Sequence, residues 1–122
     1  MIAYATLGTN DLPRAAAFYD TLLAVIGGKR QWENERGIGF GNGAGKPSLG
    51  VMKPFDGQPA SVGNGTMIAL AAGSNANVDA LHKKTLELGG KDEGAPGLRG
   101  PNFYMAYARD LDGNKLAFFH YN

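Results

Sequence analysis

Arg109-Asp110-Leu111-Asp112-Gly113-Asn114-Lys115-Leu116-Ala117-Phe118-Phe119 decides how the rest of the chain is read. A strand enters this stretch from Phe103 to Tyr107, and a second strand leaves it from Leu116 to Tyr121. Between them, Asp112-Gly113 is a turn signal, because glycine accepts a positive φ without a Cβ clash. The segment is therefore a β-hairpin.

Working outward, the same order of elements occurs twice. Ala3 to Gly8 reads as a strand. Asn10-Asp11 can cap a helix that begins near Leu12-Pro13, since proline is tolerated in a first turn. Leu12, Ala16, Tyr19, Leu23 and Ile26 recur at helical spacing, and Ala15, Phe18, Leu22 and Val25 widen that stripe. Gly27-Gly28 ends the helix. Strands are expected at Lys29 to Glu33, at Gly37 to Gly41 (with Ile38 and Phe40 on one face) and at Ser48 to Lys53 (with Leu49 and Val51 opposite Met52). Pro54 to Gly65, rich in Pro, Gly, Asn and Ser, reads as a connecting segment. The pattern then restarts. Thr66 to Ala72 is strand-like, and Asn77 is placed to cap a helix carrying Val78, Leu81 and Leu88. Gly89-Gly90 ends that helix, Lys91 to Glu93 forms a short strand, and Gly94 to Asn102 reads as a loop before the closing hairpin. The Gly-Gly-Lys triplets at 27–29 and 89–91 lie about half a chain apart. This internal duplication predicts an α+β fold of two βαβββ modules. Module one covers about 1–54, the linker about 55–64, and module two about 65–122.

Composition narrows the function. The chain has 122 residues, 43% of them hydrophobic, which suits one ordinary globular domain. A formal net charge of +1 with no basic run argues against nucleic acid as a partner. The absence of cysteine removes disulfides, thiol nucleophiles and thiolate metal sites. No apolar run approaches membrane-spanning length and no signal peptide is visible, so a cytoplasmic protein without membrane contact is expected. Two motif-like stretches fail on context. Gly41-Asn42-Gly43-Ala44-Gly45-Lys46 is too short for a phosphate loop and is followed by Pro47. Asp110 to Asn114 resembles the start of a calcium loop, but its glycine comes too early and Tyr121 stands where the closing Glu belongs.

Several short stretches, in order, carry a resemblance to a known family. They are Asp11-Leu12 with Phe18-Tyr19, Gly63-Asn64-Gly65, Val78-Asp79-Ala80 with Leu88-Gly89-Gly90, and Pro101-Asn102-Phe103-Tyr104 before the Asp-Gly hairpin. Together they resemble the vicinal oxygen chelate superfamily, which comprises glyoxalase, bleomycin-resistance and extradiol-dioxygenase proteins, and glyoxalase-like members of unassigned substrate most closely. The resemblance implies that the two modules form a curved mixed sheet around a cleft. It also implies a metal-ligand set in the metal-dependent members. In this chain those slots fall on Tyr4, on Gly50 or Val51, on Met67 (or Thr66), and on Ala117. None is a good ligand for a hard or borderline divalent cation. No metal and no cofactor are therefore expected. His82, on a helix, and His120, three residues beyond Ala117 and so of opposite strand phase, are read as structural.

The cleft can still bind a ligand. Tyr4, Thr6, Trp32, Phe40, Met52, Met67, Ala117 and Phe119 are its candidate walls, and Arg99 is a rim cation able to pair with an anion. Tyr104 and Tyr107 are three apart, so at most one faces it; Tyr104 is the candidate. The leading expectation is a metal-independent protein that binds a small organic molecule in the inter-module cleft, as bleomycin-resistance proteins sequester theirs. A metal-dependent lyase or dioxygenase is the enzymatic alternative, and a ligand-free dimeric scaffold, in which these residues only close the core, is the third. The resemblance also implies a homodimer.

Overall fold

The computed structural model describes all 122 residues. The chain divides into two compact units, Met1–Val62 and Gly63–Asn122. The first contains β1 (Tyr4–Gly8), α1 (Leu12–Ala24), β2 (Lys29–Glu33), β3 (Gly37–Gly41) and β4 (Ser48–Met52). The second contains β5 (Ile68–Ala71), α2 (Asn75–Glu87), β6 (Lys91–Arg99), β7 (Phe103–Arg109) and β8 (Lys115–Tyr121). Both are βαβββ modules, as the duplicated pattern requires. Their strands bond as two four-stranded sheets, ordered β1-β4-β3-β2 and β5-β8-β7-β6. In each sheet the first strand runs parallel to the last and the remaining pairs are antiparallel.

Each helix starts and stops for local reasons. The Asp11 carboxylate accepts from the Arg14 amide at 3.1 Å, capping α1. In α2 the cap is the Ser74 hydroxyl, which accepts from the Asn77 amide at 3.1 Å. The expected cap, Asn77, lies inside the helix and instead donates its side-chain amide to the Ala72 carbonyl at 2.8 Å. Both helices close with the same Schellman pattern. Gly27 and Gly28 donate to the Ala24 and Leu23 carbonyls at 3.1 and 2.8 Å; Gly89 and Gly90 donate to Leu86 and Thr85 at 3.1 and 2.9 Å. The first glycine of each pair has a φ of +74° or +97°. The second has no room for a side chain, since a Cβ at Gly28 would meet Leu23 and one at Gly90 would meet the Arg109 carbonyl. The repeated Gly-Gly thus does two separate jobs at each helix end.

One face of each sheet is covered by its own helix. In module one Leu7, Ile38, Phe40, Leu49 and Val51 pack beneath Phe18, Tyr19 and Leu22, all of them buried. Tyr19 meets Phe40 with ring centroids 6.1 Å apart. In module two Ala106, Ala108, Leu116 and Phe118 are buried with Val78 and Leu81 of α2.

The sixth strand is longer than the sequence suggests. The segment from Gly94 to Arg99 continues β6 rather than forming a loop. Register shifts between Asp92 and Gly94 and between Gly94 and Gly97 absorb the residues that do not fit the ladder. β6 is an edge strand, where Pro96 is tolerated.

The hairpin at Asp110 to Asn114 is held by its own side chains. Asp110 Oδ1 accepts from the amides of Asp112 and Asn114, each at 2.9 Å, and Oδ2 accepts from Asn114 Nδ2 at 2.9 Å. Both side chains are buried. Replacing Asp110 with Ala strands these donors, at a cost of about 3 kcal/mol or more. Asp110→Asn, which keeps an acceptor, is expected to cost less. Denaturant unfolding of the two variants measures the difference.

Candidate functional site

The face of the first sheet away from α1 carries a groove. Cross-strand partners share a face, so the pairs Tyr4–Ser48, Thr6–Gly50, Gly39–Gly50 and Gly37–Met52 lie together on this side. The groove has a volume of about 250 Å³ and is lined by Tyr4, Thr6, Trp32, Ser48, Gly50 and Met52. Tyr4 is 65% exposed and Trp32 42%.

Trp32 reaches this face through a bulge. Arg30 pairs opposite Phe40 and so sits on the helix side, where its guanidinium holds both Asp20 carboxylate oxygens at 2.9 and 2.6 Å. Simple alternation would send Trp32 to that side too. The register shift between Arg30 and Trp32 places Trp32 opposite Gly39 instead. Glu33 then returns to the helix side and accepts from Arg30 Nη1 at 3.0 Å. Asp20, mainly through its hydrogen bond, raises the Arg30 pKa above its usual value. The bulge is thereby anchored on the side away from the groove.

Glycines make this face shallow enough for flat side chains to lie on it. The Trp32 indole lies where a Cβ at Gly39 would be, the Met52 sulfur lies over Gly37, and the Gln31 amide lies over Gly41. At Gly50 a Cβ would come within 3.2 Å of the Thr6 methyl. The alternation Gly37-Ile38-Gly39-Phe40-Gly41 displays this column in the sequence.

Of the ten candidate residues, Tyr4, Thr6, Trp32 and Met52 come together here. Phe40 does not: it is 1% exposed and packs on Tyr19, because it alternates with the groove-side glycines. Ser48 also lines the groove and is not a candidate from the sequence, and Gly50, named there only as a possible metal-ligand slot, lines it too.

In the second sheet Ala117 and Phe119 face away from α2, paired with Tyr107 and Met105. Ala117 is fully buried. Phe103, Phe119 and Tyr121 form an aromatic cluster on this side, with centroids 5.8 and 5.2 Å apart. Arg99 is on this side as well, opposite Phe103. Met67 is partly exposed and precedes β5 instead of lying within it. Tyr104 is corrected: its hydroxyl donates to Asp79 of α2 at 2.7 Å, so it faces the helix, and Tyr107 takes the other side. The bond to Asp79, then burial, then the Asp79 charge raise the Tyr104 pKa. His120 pairs with Tyr104 on the helix side. His82 is 7% exposed and bonds Asp92 at 2.9 Å. That bond, helped by the Gly94 amide, holds the Asp92 carboxyl below its usual range. Neither histidine shares a face with Ala117.

The chain from 1 to 118 matches the family model described as Glyoxalase/Bleomycin resistance protein/Dioxygenase superfamily. It is similar to a glyoxalase/bleomycin resistance protein from Albidiferax ferrireducens T118, at 35% identity and a TM-score of 0.92, over 100% of this chain and 99% of that one. It is similar to a hypothetical protein from S. aureus at 26% identity and a TM-score of 0.73, over 98% and 91% of the two chains. A lactoylglutathione lyase from Agrobacterium tumefaciens shares the fold, at 22% identity and a TM-score of 0.70, over 98% and 92%. No curated protein matches the sequence.

The metal-ligand slots implied by the resemblance do not fit a metal. Tyr4 offers a phenol and Met67 a thioether, while Ala117 offers no donor. Of the two candidates for the late first-module slot, Val51 is buried with the helix-side core and Gly50, on the groove side, has no side chain. No three His, Asp or Glu side chains converge on a position able to hold an ion. Hard and borderline divalent cations need imidazole, carboxylate or several oxygens. Elemental analysis of the tag-free protein is expected to return far less than one zinc, nickel, manganese or iron per chain. Stoichiometric metal that is lost on changing Tyr4 or Met67 would overturn this assignment.

Proposed function

Because the chain belongs to the Glyoxalase/Bleomycin resistance protein/Dioxygenase superfamily, we propose that it binds a small organic molecule without a catalytic metal, on the helix-free face of its first module. The groove of about 250 Å³ carries this reading. It is slightly below the size of common ligand pockets, roughly 300–1,000 Å³, and suits a compact ligand of one or two rings. Its walls match such a ligand. Trp32 and Tyr4 supply flat apolar surface, Met52 a polarisable thioether, and Thr6 and Ser48 hydroxyls that fix orientation. None of these groups is a nucleophile paired with a base, so the arrangement supports capture of a ligand and not its chemical conversion.

Trp32 is the only tryptophan, so its emission reports directly on the groove. A panel of small aromatic compounds is expected to contain members that change this emission saturably and raise the melting temperature by mass action. Tyr4→Ala should weaken the response while the protein stays folded. Gly50→Leu, which fills the groove floor, should abolish it. Absence of any emission change or thermal shift across the panel would favour a ligand-free scaffold.

The same reading includes a homodimer. Tyr4 and Trp32 are exposed apolar groups on module one, and β1 and β2 are unpaired sheet edges. Such surface commonly marks an association site. Light scattering at micromolar concentration is expected to give about twice the 12.8 kDa chain mass. A monomer at all concentrations would remove this part of the proposal.

A further inference from the structure

Four pairs in the chain place a glycine directly after a side chain able to close a ring on the backbone: Asn42-Gly43, Asp56-Gly57, Asn64-Gly65 and Asp112-Gly113. Glycine has no Cβ to shield its amide nitrogen, and its backbone freedom lets that nitrogen approach the preceding side-chain carbonyl carbon. Ring closure needs two free groups. The glycine N–H must lose its proton to attack, and the side-chain carbonyl must turn toward it.

The fold separates the four pairs. At two of them the attacking nitrogen is tied: the Gly57 and Gly113 amides donate to the Pro54 and Asp110 carbonyls, each at 3.1 Å. At Asn42 the side chain is tied, because its Nδ2 donates to the Ile26 carbonyl at 3.4 Å. At Asn64-Gly65 neither group is held by another residue. Both residues are exposed. They are the central pair of a β-turn closed by the Thr66 amide, which donates to the Gly63 carbonyl at 3.2 Å. Gly65 has a φ of +96°, as the third position of a type II turn requires. This turn opens module two, just ahead of β5.

We propose that Asn64-Gly65 is a site of spontaneous covalent modification, at which the chain converts its own turn into an isoaspartyl linkage. The Gly65 nitrogen gives up its proton to solvent and bonds to Asn64 Cγ. The Cγ–Nδ2 bond breaks and Nδ2 leaves as ammonia, taking a proton from solvent, so that a succinimide ring remains. Water then adds to one ring carbonyl and the bond from that carbon to the ring nitrogen breaks. Opening at Cγ gives aspartate; opening at the backbone carbonyl gives isoaspartate, with the chain running through the former side chain. Overall one amide and one water become one carboxylate and one ammonium ion, with no oxidant, metal or cofactor. Either product takes the formal net charge from +1 to zero. Isoaspartate also adds a backbone carbon inside a turn of fixed length, so the Thr66–Gly63 bond is lost. The reaction does not depend on the groove in module one.

Incubation of the folded full chain in mildly alkaline buffer tests this, with peptide mass spectrometry locating each converted residue over time. Asn64 should gain the mass difference between O and NH, in step with the growth of an acidic isoform on isoelectric focusing. Asn42 should convert several-fold more slowly. In urea, where both the turn and the Asn42 tether are lost, the two sites should react at similar rates. Asn64→Gln would need a larger ring and is expected to remove conversion at this position; the side chain is exposed, so the variant should fold like the parent. Gly65→Ala is a poorer control, because it strains a positive φ. The isoaspartyl fraction should exchange its Thr66 amide hydrogen faster than Asn64→Asp protein, which carries the charge without the extra carbon. The site is overturned if Asn64 is not converted, if Asn42 keeps pace with it in the folded protein, if the same rate ratio persists in urea, or if the product is aspartate alone.

Discussion

Each sheet buries one face against a single helix, and side-chain alternation then settles what the other face presents. This is the constraint on which the rest of the structure depends. Leu7, Ile38, Phe40, Leu49 and Val51 must meet α1 to form a core. Their strand neighbours Thr6, Gly37, Gly39, Gly50 and Met52 are thereby assigned to the far side. A one-residue slip in any of these strands would exchange core for groove, which is why core packing and groove lining are specified together.

Deviations from strict alternation shape what the helix-free faces present. The bulge before Trp32 turns the indole onto the glycine column, while Arg30 and Glu33 remain tied together on the helix side. Two register shifts in β6 bring Gly94 and Gly97 beneath the Arg99 side chain. In both modules an extra residue re-aims a large side chain, and nearby glycines supply the space it occupies. The two modules share a topology but differ in what they expose: a small groove of hydroxyl, aromatic and thioether groups in one, and the cluster of Phe103, Phe119 and Tyr121 in the other.

Much of the fold was legible in the chain because its signals are local. The α1 stripe from Leu12 to Leu23, the Asp11 cap, the paired Gly-Gly stops and the Asp-Gly turn each act within a few residues. Tyr4 and Thr6 were placed together by alternation alone. Phe40 was misplaced although its own strand pattern grouped it with Ile38, because an aromatic side chain fits a core as readily as a pocket wall. Tyr104 was misplaced for a different reason: the choice between it and Tyr107 rests on Asp79, which lies on a helix distant in sequence.

The sequence by itself determined the module order, the Gly-Gly ends of both helices and the closing hairpin. All of these follow from residue identity and short-range periodicity. Tertiary structure decided which face each strand residue occupies after a bulge, how far β6 extends, and which of Tyr104 and Tyr107 meets α2. Those outcomes depend on pairing between strands and on contacts between distant segments, and no short stretch of sequence contains both partners. The bulged register from Arg30 to Trp32 shows the difference most directly: its consequence is the position of one indole, and its cause is the ladder β2 forms with β3.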